Sequence, residues 1–278
     1  MFQGRNLLIA TKHKKEKVIA PILESQLGVK CFVAFDLDTD KLGTFTGEIE
    51  RIDDPITTAR NKCLIGMDLT NCDLAIASEG SFGSHPSIFF AAADDEFLVL
   101  IDKKNNIEIS TRELSLETNF NGSEIKTLEE LQEFATKSNF PSHGLILRKS
   151  KEDLEEITKG ILNEKLLYET FFELIKNHGT AYIETDMRAM FNPSRMKVIE
   201  KATMKLVDKI KSLCPNCETP GFGVVDRKVG LRCYQCNFPT RSTLSYIYNC
   251  QKCNYKKEEE FPNGKKTEDP MYCDICNP

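Results

Sequence analysis

At 278 residues, 40% hydrophobic and 28% charged, the chain has room for one domain of about 200 residues plus a small module, and enough apolar content for a buried core. Its net charge of -5 is unevenly spread: residues 211–278 carry 10 Lys/Arg against 8 Asp/Glu and the remainder 27 against 34, so neither part has the basic footprint of non-specific nucleic-acid binding. No apolar run approaches bilayer length and the N-terminus lacks a signal peptide's apolar segment, so we expect a cytoplasmic protein with no membrane partner.

Asn6-Leu7-Leu8-Ile9-Ala10-Thr11 reads as a first buried strand. It runs straight into Lys12-His13-Lys14-Lys15-Glu16-Lys17, which should open a helix reaching toward Leu27-Gly28. Positive side chains and free amides at such a junction can hold phosphate; a solvated helix start is the competing reading. Pro21 implies a kink or a late start. A polar, glycine-punctuated stretch from Asp36 to Arg51 carries Glu48 and Glu50. Asp53-Asp54-Pro55 then gives a capping carboxylate followed by proline at the first helical position, with Ile56, Ala59, Cys63 and Met67 in one apolar stripe.

The segment from Asp73 to Pro86 is where chemistry is expected. Leu74-Ala75-Ile76-Ala77 has the pattern of a buried strand, ending on Glu79 and then on Gly80, Ser81 and Gly83, read as a loop. A charge at the carboxyl end of a buried strand, followed by bare amides, is how α/β folds build sites for phosphates and their metals; an ordinary glycine turn is the plainer alternative. If the preceding helix packs on the sheet, Glu48 or Glu50 can approach Glu79, and converging carboxylates bind Mg²⁺.

Farther along, Phe97–Asp102 and Ile107–Thr111 flank Lys103-Lys104-Asn105-Asn106 as a hairpin. Thr127 and Glu130 form a capping box, and Leu145-Ile146-Leu147 is a strand preceded by His143, a residue more often structural than catalytic. A helix over Glu164–Asn177 leads to the strand Thr180–Glu184, and Asn192-Pro193 caps a long final helix. Arg188 and Arg195 follow a strand and open a helix, positions that suit phosphate binding and surface ion pairs equally. Strands alternating with helices predict an α/β domain with a largely buried mixed sheet.

This order of elements resembles, distantly, the inosine/xanthosine triphosphatase superfamily of house-cleaning pyrophosphatases. Ala10-Thr11-Lys12-His13-Lys14-Lys15-Glu16 is similar to the family's first strand and phosphate-holding Asn and Lys, although His13 stands for the Asn and Glu16 for the Lys. Glu48, Glu50 and Thr58-Ala59-Arg60-Asn61-Lys62 resemble its acidic residue and following helix; Glu79-Gly80-Ser81 resembles its second acidic motif, and Gly179 to Thr185 with Arg195 its final segment. The resemblance implies an inosine-triphosphatase-like fold over residues 1–212 and a Mg²⁺-dependent attack of water on a nucleoside triphosphate. It casts Glu48, Glu50 and Glu79 as metal and water ligands, and Thr11, Lys12, His13, Lys15, Lys17, Gly80, Ser81, Arg188 and Arg195 as phosphate contacts. A domain that binds a nucleotide without hydrolysing it fits the same residues. The whole chain is also similar to a bacterial family with a Cys-Pro-x-Cys module, which implies no function.

Of 11 cysteines, Cys31, Cys63 and Cys72 are scattered, while the other eight form four Cys-x-x-Cys pairs. Cys214/Cys217 and Cys233/Cys236 are separated by a hairpin-length spacer, as are Cys250/Cys253 and Cys273/Cys276. Four thiolates fill a tetrahedral Zn²⁺ shell, so residues 213–278 are expected to be a double zinc-ribbon module with two structural zinc ions. Sequential ribbons and a cross-braced pairing of first with third and second with fourth both fit the count, and iron is the other metal such a site takes. The ribbons can dock on the first domain, mediate a homodimer, or contact nucleic acid or protein. Arg227, Lys228, Arg232, Tyr234 and Arg241 offer the basic and aromatic side chains of nucleic-acid binders, against which the small net charge favours a solvated surface.

Overall fold

A computed structural model describes residues 1–34, 37 and 52–278, so Glu48 and Glu50 lie outside the described residues. The chain divides into two compact units, Met1–Val207 and Asp208–Pro278.

In the first unit the apolar run Asn6–Ile9 is strand β1. It pairs in parallel with β2 (Lys30–Phe32) on one side and with β3 (Leu74–Ser84) on the other. β3 then pairs antiparallel with β4 (Ala92–Asp102), and β4 with β5 (Ile107–Ser115), in the order β2-β1-β3-β4-β5. The sheet is therefore mixed: its parallel half needs a crossover, its antiparallel half only tight turns. Helix α1 (Glu16–Leu27) supplies the crossover from β1 to β2 and closes on Gly28 with φ 66°. It opens at Glu16, later than the lysine run suggests, because Lys14 sits in the left-handed region with φ 58°.

Helix α2 (Pro55–Thr70) is capped as its sequence predicts: Asp54 accepts from the amides of Ile56 at 3.0 Å and Thr57 at 3.2 Å. Its stripe of Ala59, Cys63 and Met67 packs on Leu8, Ala10, Ala75, Ala77, Val99 and Ile101. Because strand side chains alternate, the intervening residues of β3, β4 and β5 face the other way. That second face meets α5 (Pro193–Lys211): Arg195 reaches Glu96, Thr111 donates to the Ala202 carbonyl, and Lys205 pairs with Glu113.

The expected single sheet is in fact two. β6 (Gly122–Ile125), β7 (Leu145–Arg148), β8 (Ile157–Ile161) and β9 (Ala181–Thr185) form a separate, wholly antiparallel sheet in the order β6-β9-β7-β8. Helices α3 (Leu128–Lys137) and α4 (Glu164–His178) share a core with it, built on Leu131, Phe134, Leu145, Leu147, Phe171 and Ile183. Apolar pattern marks each strand, but its pairing partner is a long-range choice that the pattern leaves open. Both halves of the Thr127/Glu130 capping box are present.

The second unit is a meander of β10 (Gly223–Val229), β11 (Thr243–Asn249) and β12 (Lys256–Glu260). Its apolar interior is small, with Phe222 stacked on Tyr248 at 5.7 Å beside Cys214 and Cys250. Among the described residues no helix is long and apolar enough to cross a membrane.

Candidate functional site

The reading of Gly80-Ser81 as a loop is overturned: β3 continues through Ser84, with Gly80 opposite Glu96 and Ser81 opposite Asp95. Gly80 serves close approach. A Cβ there would collide with Arg195 Nη2 and the Glu96 carboxylate, which pack directly over the strand.

β1 ends at Ile9, and the Ala10 amide makes a last backbone bond to the Ile76 carbonyl at 2.8 Å. Beyond that point the β3–β4 hairpin runs on without β1 beside it, and charged side chains gather around the projecting part. On the α2 face, Lys62 Nζ lies 2.6 Å from Glu79 Oε2. Burial alone would push the Glu79 carboxyl up, but Lys62, Lys15 and Arg195 together hold it below the usual carboxylate range. Lys15, at the start of α1, is only 6% exposed and donates to Ser78 Oγ at 2.9 Å and to the Ser78 carbonyl at 3.1 Å. Burial, reinforced by Arg195, pushes its ammonium down to about 8.

On the α5 face, the Asn192 side chain accepts from the Arg195 amide at 3.0 Å and so caps the helix that delivers Arg195. The buried guanidinium donates to Glu96 Oε1 at 2.6 Å and to the Met187 carbonyl, and lies 4.9 Å from the centre of the Phe82 ring. Asp94 stands two residues before Glu96 on the same face, fully buried. Neither Asp94 oxygen, nor Glu96 Oε2, has a hydrogen-bond partner among the described residues. Burial, then the neighbouring Glu96 charge, pushes the Asp94 carboxyl up to about 8. Buried carboxylate oxygens without partners are costly, so these three atoms mark where a cation, water or ligand atom fits. The buried Thr11 hydroxyl, just past the end of β1, is also without a partner among the described residues.

The structure thus brings Lys15, Glu79, Gly80 and Arg195 together. Lys12 and Lys17 are exposed and His13 half-buried on the loop and first turn of α1. Arg188 is held by Asp186 at 2.6 Å and lies over the Phe191 ring at 4.5 Å. His143 is structural in its contacts: its Nε2 accepts from the Ser194 amide at 3.3 Å, near the start of α5. Sequence reasoning missed Asp94 and Glu96. The signal was there, three consecutive acids (Asp94-Asp95-Glu96) leading into the apolar run Phe97–Ile101.

The eight cysteines of the second unit gather as Cys214/Cys217/Cys250/Cys253 and Cys233/Cys236/Cys273/Cys276, and each group could hold a zinc ion. Sulfur–sulfur distances of 3.5–3.9 Å match a tetrahedron with ~2.3 Å Zn–S bonds. This pairing is the cross-braced one, and the sequential ribbons are overturned. The spacer between the first two pairs holds a single strand, β10, and not a hairpin. Seven extended residues carry the chain about 20 Å, so the pairs at its two ends cannot share an ion. The antiparallel register then sets Gly223, after the first pair, opposite Asn249, before the third. Likewise Tyr234 and Arg232 bond the Glu268 backbone, which draws the segment leading to the fourth pair beside the second. Each pair turns the same way: the amides of Glu218, Asn237, Asn254 and Asn277 donate to the first cysteine's carbonyl at 2.8–3.0 Å.

A family model described as "Domain of unknown function (DUF6671)" matches residues 62–278, a span that takes in Glu79, Asp94, Glu96, Arg195 and all eight clustered cysteines. No curated protein matches. Among solved structures, the crystal structure of protein VC0702 from Vibrio cholerae is similar over 74% of this chain and 94% of that chain, at 7% identity and a TM-score of 0.33. A likeness of that size carries no argument.

Proposed function

This chain belongs to the DUF6671 family, and we propose that it is a hydrolase acting on a nucleoside triphosphate or related phosphorylated nucleotide, with zinc in a structural role. The observation that supports this reading is the convergence of Lys15, Lys62 and Arg195 on the projecting β3–β4 hairpin, beside buried carboxylate oxygens that lack partners among the described residues. Phosphoryl transfer asks a protein chiefly for positioned positive charge and a metal. Lys15, desolvated but still charged at pH 7, gains a favourable partner when phosphate enters. Asp94 and Glu96 suit Mg²⁺, which takes one or two carboxylates and fills its other positions with water and substrate phosphate. That ion, when bound, would neutralise charge on the phosphates. Glu79, kept ionised by Lys62, accepts a hydrogen bond from the attacking water. The closed four-sulfur clusters leave no open position for catalysis.

The test is release of pyrophosphate or phosphate from a panel of standard and deaminated nucleoside triphosphates, with and without Mg²⁺, by the zinc-loaded protein and by Glu79→Gln. We expect Mg²⁺-dependent turnover on a subset of bases, lost at least ~100-fold in Glu79→Gln with zinc content unchanged. Full activity of that variant sinks the assignment of Glu79, and silence of the folded wild type across the panel sinks the hydrolase reading. A second reading, a nucleotide-binding domain without turnover, is favoured by one fact: Glu79 and Glu96 are each already committed to a cation. Saturable nucleotide binding by calorimetry without product release distinguishes it.

A further inference from the structure

We infer that the groove beside the second cysteine cluster binds single-stranded nucleic acid. The groove has a volume of about 420 Å³ and is lined by Arg227, Arg241 and Lys265, with Ser242, Thr243 and Asn263 as neutral donors. Its one carboxylate, Glu268, is turned inward: the side chain is buried, accepts from the Asp269 amide at 2.9 Å, and lies 3.4 Å from Lys265. The cations keep their heads in water. Arg241 is 88% exposed along its side chain despite a 3.2 Å contact with Asp274, and Arg227 makes no ion pair among the described residues.

What turns a basic groove toward nucleic acid is the pair of exposed tyrosines carried by the same cysteine cluster. Tyr234 is 80% exposed, and its backbone amide donates to the Glu268 carbonyl at 2.9 Å, which ties its backbone to the segment that lines the groove. Tyr272, 57% exposed, directly precedes Cys273. Both tyrosines are pinned by the same four cysteines, Tyr234 lying between Cys233 and Cys236. An exposed ring offers a flat face to an unpaired base, and cations combined with aromatic platforms are how proteins hold unpaired strands. In a duplex the base faces are already stacked and cannot meet these rings. The charge is local, three cations in a unit of small net charge, so binding should be weak and salt-labile, with phosphate contacts supplying register and tyrosines the stacking.

The test is fluorescence anisotropy with the full zinc-loaded chain and labelled DNA and RNA strands of about 12 nucleotides, against a duplex of equal length. We expect saturable binding of the single strand, DNA or RNA, preferred over the duplex. Three phosphate contacts at a slope of about −0.7 each imply a loss of about 20-fold between ~50 and ~200 mM salt. Tyr234→Ala should weaken binding at least ~5-fold with two zinc ions retained. The double variant Arg227→Ala/Arg241→Ala should lower the salt slope from about −2 to about −0.7. Glu79→Gln should bind like the wild type, which separates this inference from the hydrolase reading. Absence of saturable binding, equal affinity for the duplex, or unchanged affinity in Tyr234→Ala and in the arginine variant overturns it.

Discussion

Replacing Lys15 by Met tests the electrostatics of the hairpin cluster directly. The side chain is 6% exposed, and burial with Arg195 nearby moves its ammonium from the ordinary 10.5 to about 8. At about 1.4 kcal/mol per pH unit, keeping that charge inside costs the folded protein about 3 kcal/mol below pH 8. Against this stand the two hydrogen bonds to Ser78, worth about 1 kcal/mol each, so Lys15→Met should change stability at pH 7 by little, about 1 kcal/mol in the stabilising direction. The pH dependence is the sharper signature. Below pH 8 both states carry the proton and the penalty is constant. Above pH 8 the folded state releases it while the unfolded chain holds it until 10.5, so wild-type stability rises by up to about 3 kcal/mol across that window. The variant lacks this rise. Urea denaturation followed by circular dichroism at saturating zinc, from pH 7 to 10, measures the difference between the two proteins. Parallel curves would mean that Lys15 is not desolvated, and the reasoning would fail.

Other outcomes follow from the same geometry. Zinc stoichiometry by atomic absorption should fall from two to one per chain in Cys217→Ser/Cys253→Ser, which disables one cluster, and to none in Cys217→Ser/Cys236→Ser, which damages both; the reverse pattern would restore the sequential ribbons. Gly80→Ala should destabilise the first unit by about 1–3 kcal/mol, because Arg195 and Glu96 must give way, and a thermal melt indistinguishable from wild type would remove the close-approach argument. Burial holds the His143 imidazole below its ordinary value, opposed by an Asn139 backbone bond and aided by Lys197. Its contribution is therefore fully present above the ordinary 6.5 and declines as the pH falls below it. Acid titration of stability should show a shallower decline in His143→Gln, and identical acid limbs would contradict the assignment.

How far the chain could be read without its fold depends on the range of the interaction involved. Local physics was legible. The Asp54-Pro55 opening of α2, the Thr127/Glu130 box, the Gly28 and Gly179 ends of α1 and α4, and the β4–β5 hairpin all arise from groups within a few residues of one another. The presence of two four-cysteine clusters was legible too, since four Cys-x-x-Cys pairs within one small module supply eight thiols at metal-ligand spacing. What pairs with what was decided only in three dimensions. The spacer after Cys217 looks like a hairpin until β10 is seen to spend it crossing the module once, and that single crossing forces the clusters to interleave. The glycines at 80 and 83 look like a loop until Arg195, more than a hundred residues later, is found over the strand. Asp94 and Glu96 entered the site because the β3–β4 register sets them on the face that α5 covers. Desolvation there, and not any feature of the acidic run itself, is what raises the Asp94 carboxyl and lowers the Lys15 ammonium: a sequence says which groups can ionise, while burial and neighbouring charge, both products of the tertiary fold, shift where they do.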